Sequence, residues 1–378
     1  MLDAYFTGSV PQLIERSREL TAKIPRNLPR AYDALAQLAR SRLNNLIAQF
    51  GSLIEDHRLL DKSLRPERLR KFKRLVSELD TIEATAILAL RKAQDEDHRL
   101  NDLLERITKE IAYPAVTPTV TTLSRDYFYI FPEFMLLFVP LVEGHFLLHL
   151  PDLYHELAHP ILVEENDPII EPLQHSFSKC LDECISYVQD ETQKLQRRKS
   201  PVRPEYMLGA WERSWIRSWL SEFYCDVFAL ITAGPAFAWS HLHLAIKRGE
   251  NPFIVPTVSA SSHPADDARM RVLLAAMTLM GLRQQSIDVQ NGWRCFTGSL
   301  GVKPEPEYFW CYPDELLKKI STYAVSGATE IGVHVFSPSE KGTVTSVLNA
   351  AWAEFWTHPG SYVQWEKKAV EKLLEAKC

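Results

Sequence analysis

Several features that mark common classes of protein are scarce or missing in this chain of 378 residues. Lysine and arginine number 43 against 48 aspartates and glutamates, so the formal net charge is −5 and no nucleic-acid partner is expected. Six scattered cysteines are too few for a disulfide framework in a chain of this length. The patterns CxxC, GxGxxG and GxxxxGK[ST] do not occur, so the usual signatures of thiol, dinucleotide and P-loop sites are missing.

Long apolar runs are also missing. A spanning helix needs about 20 mainly apolar residues with few or no charges. The most apolar stretch, FYIFPEFMLLFVPLVEGHFLLHL, contains two prolines, two glutamates and two histidines, and we interpret it as buried strands. The start of the chain, MLDAYFTGSVPQLIERS, lacks the basic flank and apolar run of a signal peptide. We therefore expect no transmembrane segment and a cytoplasmic protein.

The composition, 46% hydrophobic and 24% charged, is that of a globular protein, and the pattern along the chain predicts three regions. Residues 1–112 form a helical N-terminal region, because apolar residues such as Leu35, Leu46 and Phe50 recur at helical spacing. Nothing in this region resembles a catalytic motif, so it is either a lobe of the main domain or a module that binds a protein partner. Residues 113–286 form the candidate catalytic core, and residues 287–378 form a mixed, mainly helical C-terminal region.

The central region changes character along its length. Residues 113–141 are rich in threonine, valine and aromatics and are broken by prolines, which predicts short strands and loops. Helices are then predicted from Asp152, which suits an N-cap, over about 173–195, and over about 208–232 with an end near Gly234. A further helix is predicted from Pro264, and residues 344–355 form an amphipathic helix. The fold class expected is α+β, mainly helical with a small sheet.

The stretch DLYHELAHPIL, residues 152–162, contains the candidate metal-binding and catalytic residues. His155 and His159 are four apart on a predicted helix, so both imidazoles lie on one face and can bind one ion. Glu156 projects beside them and can reach a water held by that ion, which is the physical content of the H-E-x-x-H pattern. Zn²⁺ is the expected cofactor, because two imidazoles, a carboxylate and an open position make a catalytic zinc site. The alternative is a pair of core histidines on a buried helix.

A third ligand is predicted on the helix WERSWIRSWLSEFYCDVFALITAG. Glu222 lies on this helix among tryptophans and other apolar residues, where a carboxylate is costly unless it is paired or binds a metal. Asp226 is one turn further along the same face. Two acids four apart on a buried helix repel each other unless a cation or a histidine N–H lies between them.

HELAH followed by SEFYCD resembles the gluzincin class of zinc metallopeptidases, which have H-E-x-x-H on one helix and E-x-x-x-D on a second. The resemblance extends over residues 120–285 and implies a zincin-like catalytic core. It implies that His155, His159 and Glu222 are zinc ligands and that Glu156 is the general base. It also implies that Asp226 supports the ligands without touching the ion.

Two further segments bear on this resemblance. SSHPADDAR is similar to a His-Pro…Arg segment that follows the glutamate helix in some gluzincins, and it makes His263 the candidate donor to the negative charge that develops on the substrate. Pro160 directly after His159 is a departure, because the residue before a proline is pushed out of the α region. The sequence therefore predicts a kink or an end of the helix at this point.

Four other residues of types that bind metals are predicted to have no role in the site. Cys180 and Cys184 lie on the apolar face of a helix and are expected in the core. His145 and His149 lie in a segment interpreted as strand, where this spacing places them about 13 Å apart. Tyr154, beside the first histidine, is expected in the core.

The function predicted is zinc-dependent hydrolysis, most simply of peptide bonds in a peptide or protein substrate. Glu156 takes a proton from water and later delivers it to the leaving amine. Two alternatives stay open. One is a helical interaction or scaffold protein with a structural or vestigial zinc site, and the other is a zinc amidohydrolase that acts on a different amide.

Overall fold

The computed structural model of this chain describes residues 2–55, 64–92, 95–124, 127–141, 145–164, 167–197 and 203–375. The chain divides into two compact units. The first consists of Met1–Leu103 and Pro118–Leu141, and the second of Leu104–Thr117 and Val142–Cys378. The predicted α+β class is confirmed at this level, because the described residues form many helices and one small sheet.

The first unit begins with the predicted helices. Their bounds are α1 (Leu2–Lys23), α2 (Asp33–Glu55), α3 (Arg65–Ile82) and α4 (Leu88–Lys92), with a π-helical turn at Glu83–Ile87. A further helix, α5 (Asp95–Glu110), begins in this unit and continues past Leu103 into the second. Leu35, Leu46 and Phe50 are fully or almost fully buried, as their helical spacing predicted. Burial of one stripe on an otherwise charged helix is the main source of its stability in water.

The small sheet also belongs to the first unit. It consists of β1 (Thr119–Ser124), β2 (Tyr129–Phe131) and β3 (Leu136–Pro140), in the order β1-β3-β2. β1 runs parallel to β3, with Val120 opposite Leu137, and β2 runs antiparallel to β3. The strands predicted within 113–141 are confirmed, although they group here with the N-terminal helices. The predicted extension of strand through His149 is wrong, because residues 147–150 form turns.

All the regular secondary structure in the described part of the second unit is helical. Its helices are α6 (Asp152–Val163), α7 (Glu171–Arg197), α8 (Arg203–Ser214), α9 (Leu220–Ala233), α10 (Pro235–Arg248), α11 (Asp266–Leu279), α12 (Arg283–Leu300), α13 (Pro306–Cys311), α14 (Asp314–Glu330), α15 (Val344–Thr357) and α16 (Tyr362–Glu375). α9 packs against α6, α11 and α14 and is therefore central to this unit. In the described part of the chain, no helix has both the length and the apolar character needed to cross a bilayer.

The long helix predicted over 208–232 is α8 and α9 joined by a π-helical turn at Trp215–Trp219. The π turn places both of these tryptophans in the core. The helix ends at Gly234, which has a φ of 70°. A Cβ at this position would lie 2.5 Å from the Phe336 ring, so only glycine fits.

Three details of the predicted helix ends are wrong. Asp152 does not cap α6, because the helix already includes it and its Oδ1 accepts a hydrogen bond from the Ser240 hydroxyl at 3.2 Å. α6 does not end before Pro160 and continues to Val163. α11 begins at Asp266, two residues after the proline that was expected to open it.

Candidate metal centre

α6 and α9 bring the motif residues together in the second unit. His155 and His159 are one turn apart on α6, with ring centroids separated by 5.1 Å. The His155 ring stacks on Phe237 at a centroid distance of 5.9 Å. The Tyr113 hydroxyl donates a hydrogen bond to the carbonyl of Leu157, which fixes the middle of α6. The two imidazoles are thus presented by a helix whose position is set by packing on several sides.

Glu222 on α9 faces both histidines. Its Oε2 lies 3.5 Å from Nε2 of His155, and its Oε1 lies 3.9 Å from Nε2 of His159. Ligands that surround a tetrahedral zinc at 2.0–2.1 Å are roughly 3.3 Å from one another. Each histidine therefore lies close to the Glu222 carboxylate, at a separation slightly longer than that between two ligands of one zinc ion.

Asp226, one turn further on α9, is fully buried and connects the cluster to α11. Arg269 on α11 donates two charge-assisted hydrogen bonds to this carboxylate, from Nε to Oδ2 at 2.8 Å and from Nη2 to Oδ1 at 2.5 Å. Nδ1 of His155 lies 3.0 Å from Oδ1 of Asp226, close enough for ion pairing although the N–H does not point squarely at that oxygen. Asp226 is thus within reach of the back of one histidine and is itself paired by a buried arginine.

The charges of this cluster reinforce one another. Burial alone would lower the pKa of His155, but Asp226 and Glu222 outweigh it and raise that pKa to about 10. Burial opposes ionisation of Glu222, yet His155 and Arg269 lower its pKa to about 2. In the same way Arg269 holds the pKa of Asp226 well below its usual range. Both carboxylates are therefore anions that attract a cation, and a metal at His155 must displace the proton that they favour.

The second histidine behaves differently. Burial lowers the pKa of His159 to about 4, and the positive charge on His155 adds to this effect. The imidazole of His159 is therefore neutral near pH 7 and offers a lone pair. A neutral imidazole is the form that binds metal ions.

Cys225 is a member of the cluster that the sequence interpretation missed. One ligand atom from each of His155, His159 and Cys225 lies within 4.8 Å of the others. Burial raises the pKa of the Cys225 thiol well above its usual value, and the charges of Glu222 and Asp226 add to this. The available signal was its spacing, because a residue three positions after Glu222 on a helix shares its face.

Glu156 and His263 occupy different surroundings. Glu156 is buried on α6 directly after His155, and its charge also raises the pKa of the Cys225 thiol. His263 lies at the rim, with 63% of its side chain exposed and its Nε2 4.0 Å from Oε2 of Glu222. Its Nδ1 forms a hydrogen bond of 2.9 Å with the Ser262 hydroxyl. His263 is thus the more accessible of the two to a molecule that approaches from solvent.

Other residues weighed from the sequence lie in the core or in a second histidine pair. Cys180 and Cys184 are fully buried, as predicted. Tyr154 is also buried, and its hydroxyl lies 3.0 Å from that of Thr345. His149 lies in a turn, and its Nε2 is 3.0 Å from Nε2 of His243.

The donor types at the cluster suit zinc. Imidazole nitrogens and a carboxylate oxygen make three-ligand catalytic zinc sites, which keep one position open, whereas four protein ligands make closed structural sites. His155, His159 and Glu222 would give the first arrangement if they shared an ion, and the addition of Cys225, which lies near both histidines, would give the second. No family model, no curated protein and no solved structure matches the chain.

Proposed function

We propose that this chain is a zinc-dependent hydrolase that cleaves peptide bonds, with a zincin-like centre in which His155, His159 and Glu222 hold the metal. The proposal rests on one observation: both histidines of the H-E-x-x-H stretch lie within 4 Å of a single buried carboxylate from another helix. Charges are buried at a cost of several kcal/mol each unless they are paired or bind a metal. A shared cation between these groups offsets that cost.

Each residue of the cluster has a distinct role in this proposal. Zinc, when bound, polarises the scissile carbonyl and lowers the pKa of water. Glu156 accepts a proton from the attacking water and delivers it to the leaving amine. His263, exposed at the rim, donates a hydrogen bond to the oxygen on which negative charge develops. Asp226 holds the His155 ring from behind, and Arg269 keeps Asp226 ionised and in place.

We propose peptides as the substrates because the two motifs resemble those of the gluzincins. Digestion of a peptide library would distinguish a peptidase from an amidohydrolase that acts on a different substrate. Cleavage products identified by mass spectrometry would support the peptidase. A cytoplasmic location and a protein partner for the N-terminal helices stay predictions.

Metal analysis tests the centre directly. We expect the purified protein to contain one zinc per chain, and we expect His155→Ala and Glu222→Ala to lose it, because each removes a ligand. The matched control is His358→Ala, which removes a histidine 62% exposed on the surface of the same unit. Full zinc content in His155→Ala, or no zinc in the wild type after incubation with the metal, would contradict the assignment.

Cys225 favours a second candidate function. If its sulfur joined the other three ligands, the site would be closed and structural, and the chain would be an interaction or scaffold protein. The two candidates differ in whether sulfur binds the ion.

Cobalt substitution separates these candidates. We expect Co²⁺-loaded protein to lack the near-ultraviolet charge-transfer band of a thiolate ligand. We also expect Cys225→Ser to keep one metal per chain and a rate within about twofold of wild type, since it removes no group that the open site needs. Cys295→Ser, at an exposed cysteine, is the control. A thiolate band that disappears in Cys225→Ser would instead support the closed site.

A further inference from the structure

A cavity in the first unit has no part in the proposed hydrolysis. Its volume is about 520 Å³, within the range of about 300–1,000 Å³ of sites for small molecules. α2, α3 and the β2–β3 segment provide its walls. Four of the side chains that line it are cationic: Arg42, Arg70, Lys73 and Arg74.

Three of these cations come from one face of α3. Arg70, Lys73 and Arg74 follow the i, i+3, i+4 spacing that places side chains next to each other on a helix. All three are exposed, and in the described part of the chain none of them has an ion-pair partner. Like charges at this spacing destabilise a helix. An anion bound in the cavity would attract all three cations and offset the repulsion between them.

Arg42 reaches the cavity from α2 and is held in place. One of its terminal nitrogens donates a hydrogen bond of 2.6 Å to the carbonyl of Glu133. Its guanidinium lies 4.5 Å from the centroid of the Phe134 ring. Phe131, partly exposed, lines the cavity as well. A planar guanidinium held beside aromatic rings provides a surface on which a flat ring of a ligand can stack.

Two carboxylates also line the cavity, together with the hydroxyls of Ser77 and Thr81. Glu78 and Glu133 are acceptors and would repel a simple anion placed against them. They are suited to a ligand whose other end has hydroxyl or amino donors. The cavity therefore combines cations for an anionic end, a flat surface for a ring, and acceptors for neutral polar groups.

We propose that this cavity binds a small phosphorylated molecule with an aromatic ring, of the chemical class of nucleoside diphosphates and triphosphates. The phosphates lie along α3, where the Cα atoms of Arg70 and Arg74 are about 6 Å apart along the helix axis. Arginine recognises phosphate with paired hydrogen bonds, and lysine adds a point charge. The ring lies against Phe131 and the Arg42 guanidinium, and its donors face Glu78 and Glu133.

Calorimetric titration of the full chain with ADP, inorganic pyrophosphate and adenosine tests this assignment. We expect one ADP per chain, with an affinity that falls as ionic strength rises. Pyrophosphate lacks the ring and adenosine lacks the charge, so each should bind at least 10-fold more weakly than ADP. Pyrophosphate that binds as tightly as ADP, or no heat with ADP at millimolar concentration, would overturn the proposal.

Charge reversal locates the site. The double variant Arg70→Glu, Lys73→Glu should bind ADP at least 100-fold more weakly than wild type. The control Arg91→Glu, Lys92→Glu makes the same change of charge at exposed positions on α4 that do not line the cavity, and it should bind as wild type does. If the first variant does not fold, Lys73→Gln should still weaken ADP binding by about 10-fold. Unchanged binding in the folded α3 variants would reject the cavity as the site.

Discussion

Replacing Glu156 with glutamine should lower the rate of peptide hydrolysis by about 10²–10⁴, the usual effect of removing a general base. The amide has nearly the shape of the carboxylate but cannot accept the proton of the attacking water. Zinc content and fold should be unchanged, because His155, His159 and Glu222 are intact. The measurements are kcat on a library peptide that the wild type cleaves, and zinc per chain by elemental analysis.

The control for this substitution is Glu164→Gln, at an exposed glutamate directly after α6. It changes the same chemical group one residue beyond the same helix and should cleave at the wild-type rate. Equal rates for Glu156→Gln and the wild type would remove Glu156 from the mechanism. Loss of zinc in Glu156→Gln would mean that this carboxylate supports the metal rather than the proton transfer.

The proximity of the α6 histidines to Glu222 on α9 could be predicted from two features of the sequence, the helical spacing of the histidines and the cost of burying an unpaired carboxylate. The four-residue spacing of His155 and His159 fixes their common face once the segment is helical. Glu222 was singled out because an acid on an apolar helix requires a partner. Both features are local to one helix and do not depend on how distant parts of the chain pack. This is why the sequence was informative about these three side chains.

Arg269 and Cys225 illustrate what such arguments miss. Arg269 lies 43 positions after Asp226, and their pairing depends on the packing of α11 against α9. No periodic pattern predicts which distant cation meets a given acid. Cys225 has the right spacing from Glu222, but a cysteine on an apolar helix is usually an ordinary core residue. Only the position of α6 brings the two histidines close to its sulfur.

Pro160 and the segment around His149 were misjudged for different reasons. A proline removes one backbone hydrogen bond from a helix, but packing on both sides of α6 outweighs that loss. Short apolar runs do not distinguish strand from buried turn by periodicity alone. In the stretch before α6 the apolar residues Leu147, Leu148 and Leu150 are buried, although the backbone forms turns.

The buried pair of Asp226 and Arg269 changes what should be expected of a substitution at Asp226. If Asp226 only supported a zinc ligand, Asp226→Ala would stay folded and lose about 10–100-fold in zinc affinity or activity. In the structure this change also removes the carboxylate that is hydrogen-bonded to the Arg269 guanidinium, which is 7% exposed, and leaves it only the more distant Glu222, whose Oε2 is 3.9 Å from Nη2. Breaking one side of a buried pair costs about 3–5 kcal/mol. We therefore expect the free energy of unfolding of Asp226→Ala to fall by about that amount.

A double variant separates the two roles of Asp226. Asp226→Ala, Arg269→Met removes both charges and should recover much of the lost free energy of unfolding, since a buried pair is often replaced by apolar residues at little cost. It should not recover zinc affinity, because the His155 ring, whose Nδ1 lies 3.0 Å from Asp226, has still lost the carboxylate behind it. Chemical denaturation and competitive zinc titration measure the two quantities. Wild-type zinc affinity in the double variant would mean that Asp226 serves only to neutralise Arg269, and an unchanged stability of Asp226→Ala would mean that the ion pair does not stabilise the fold.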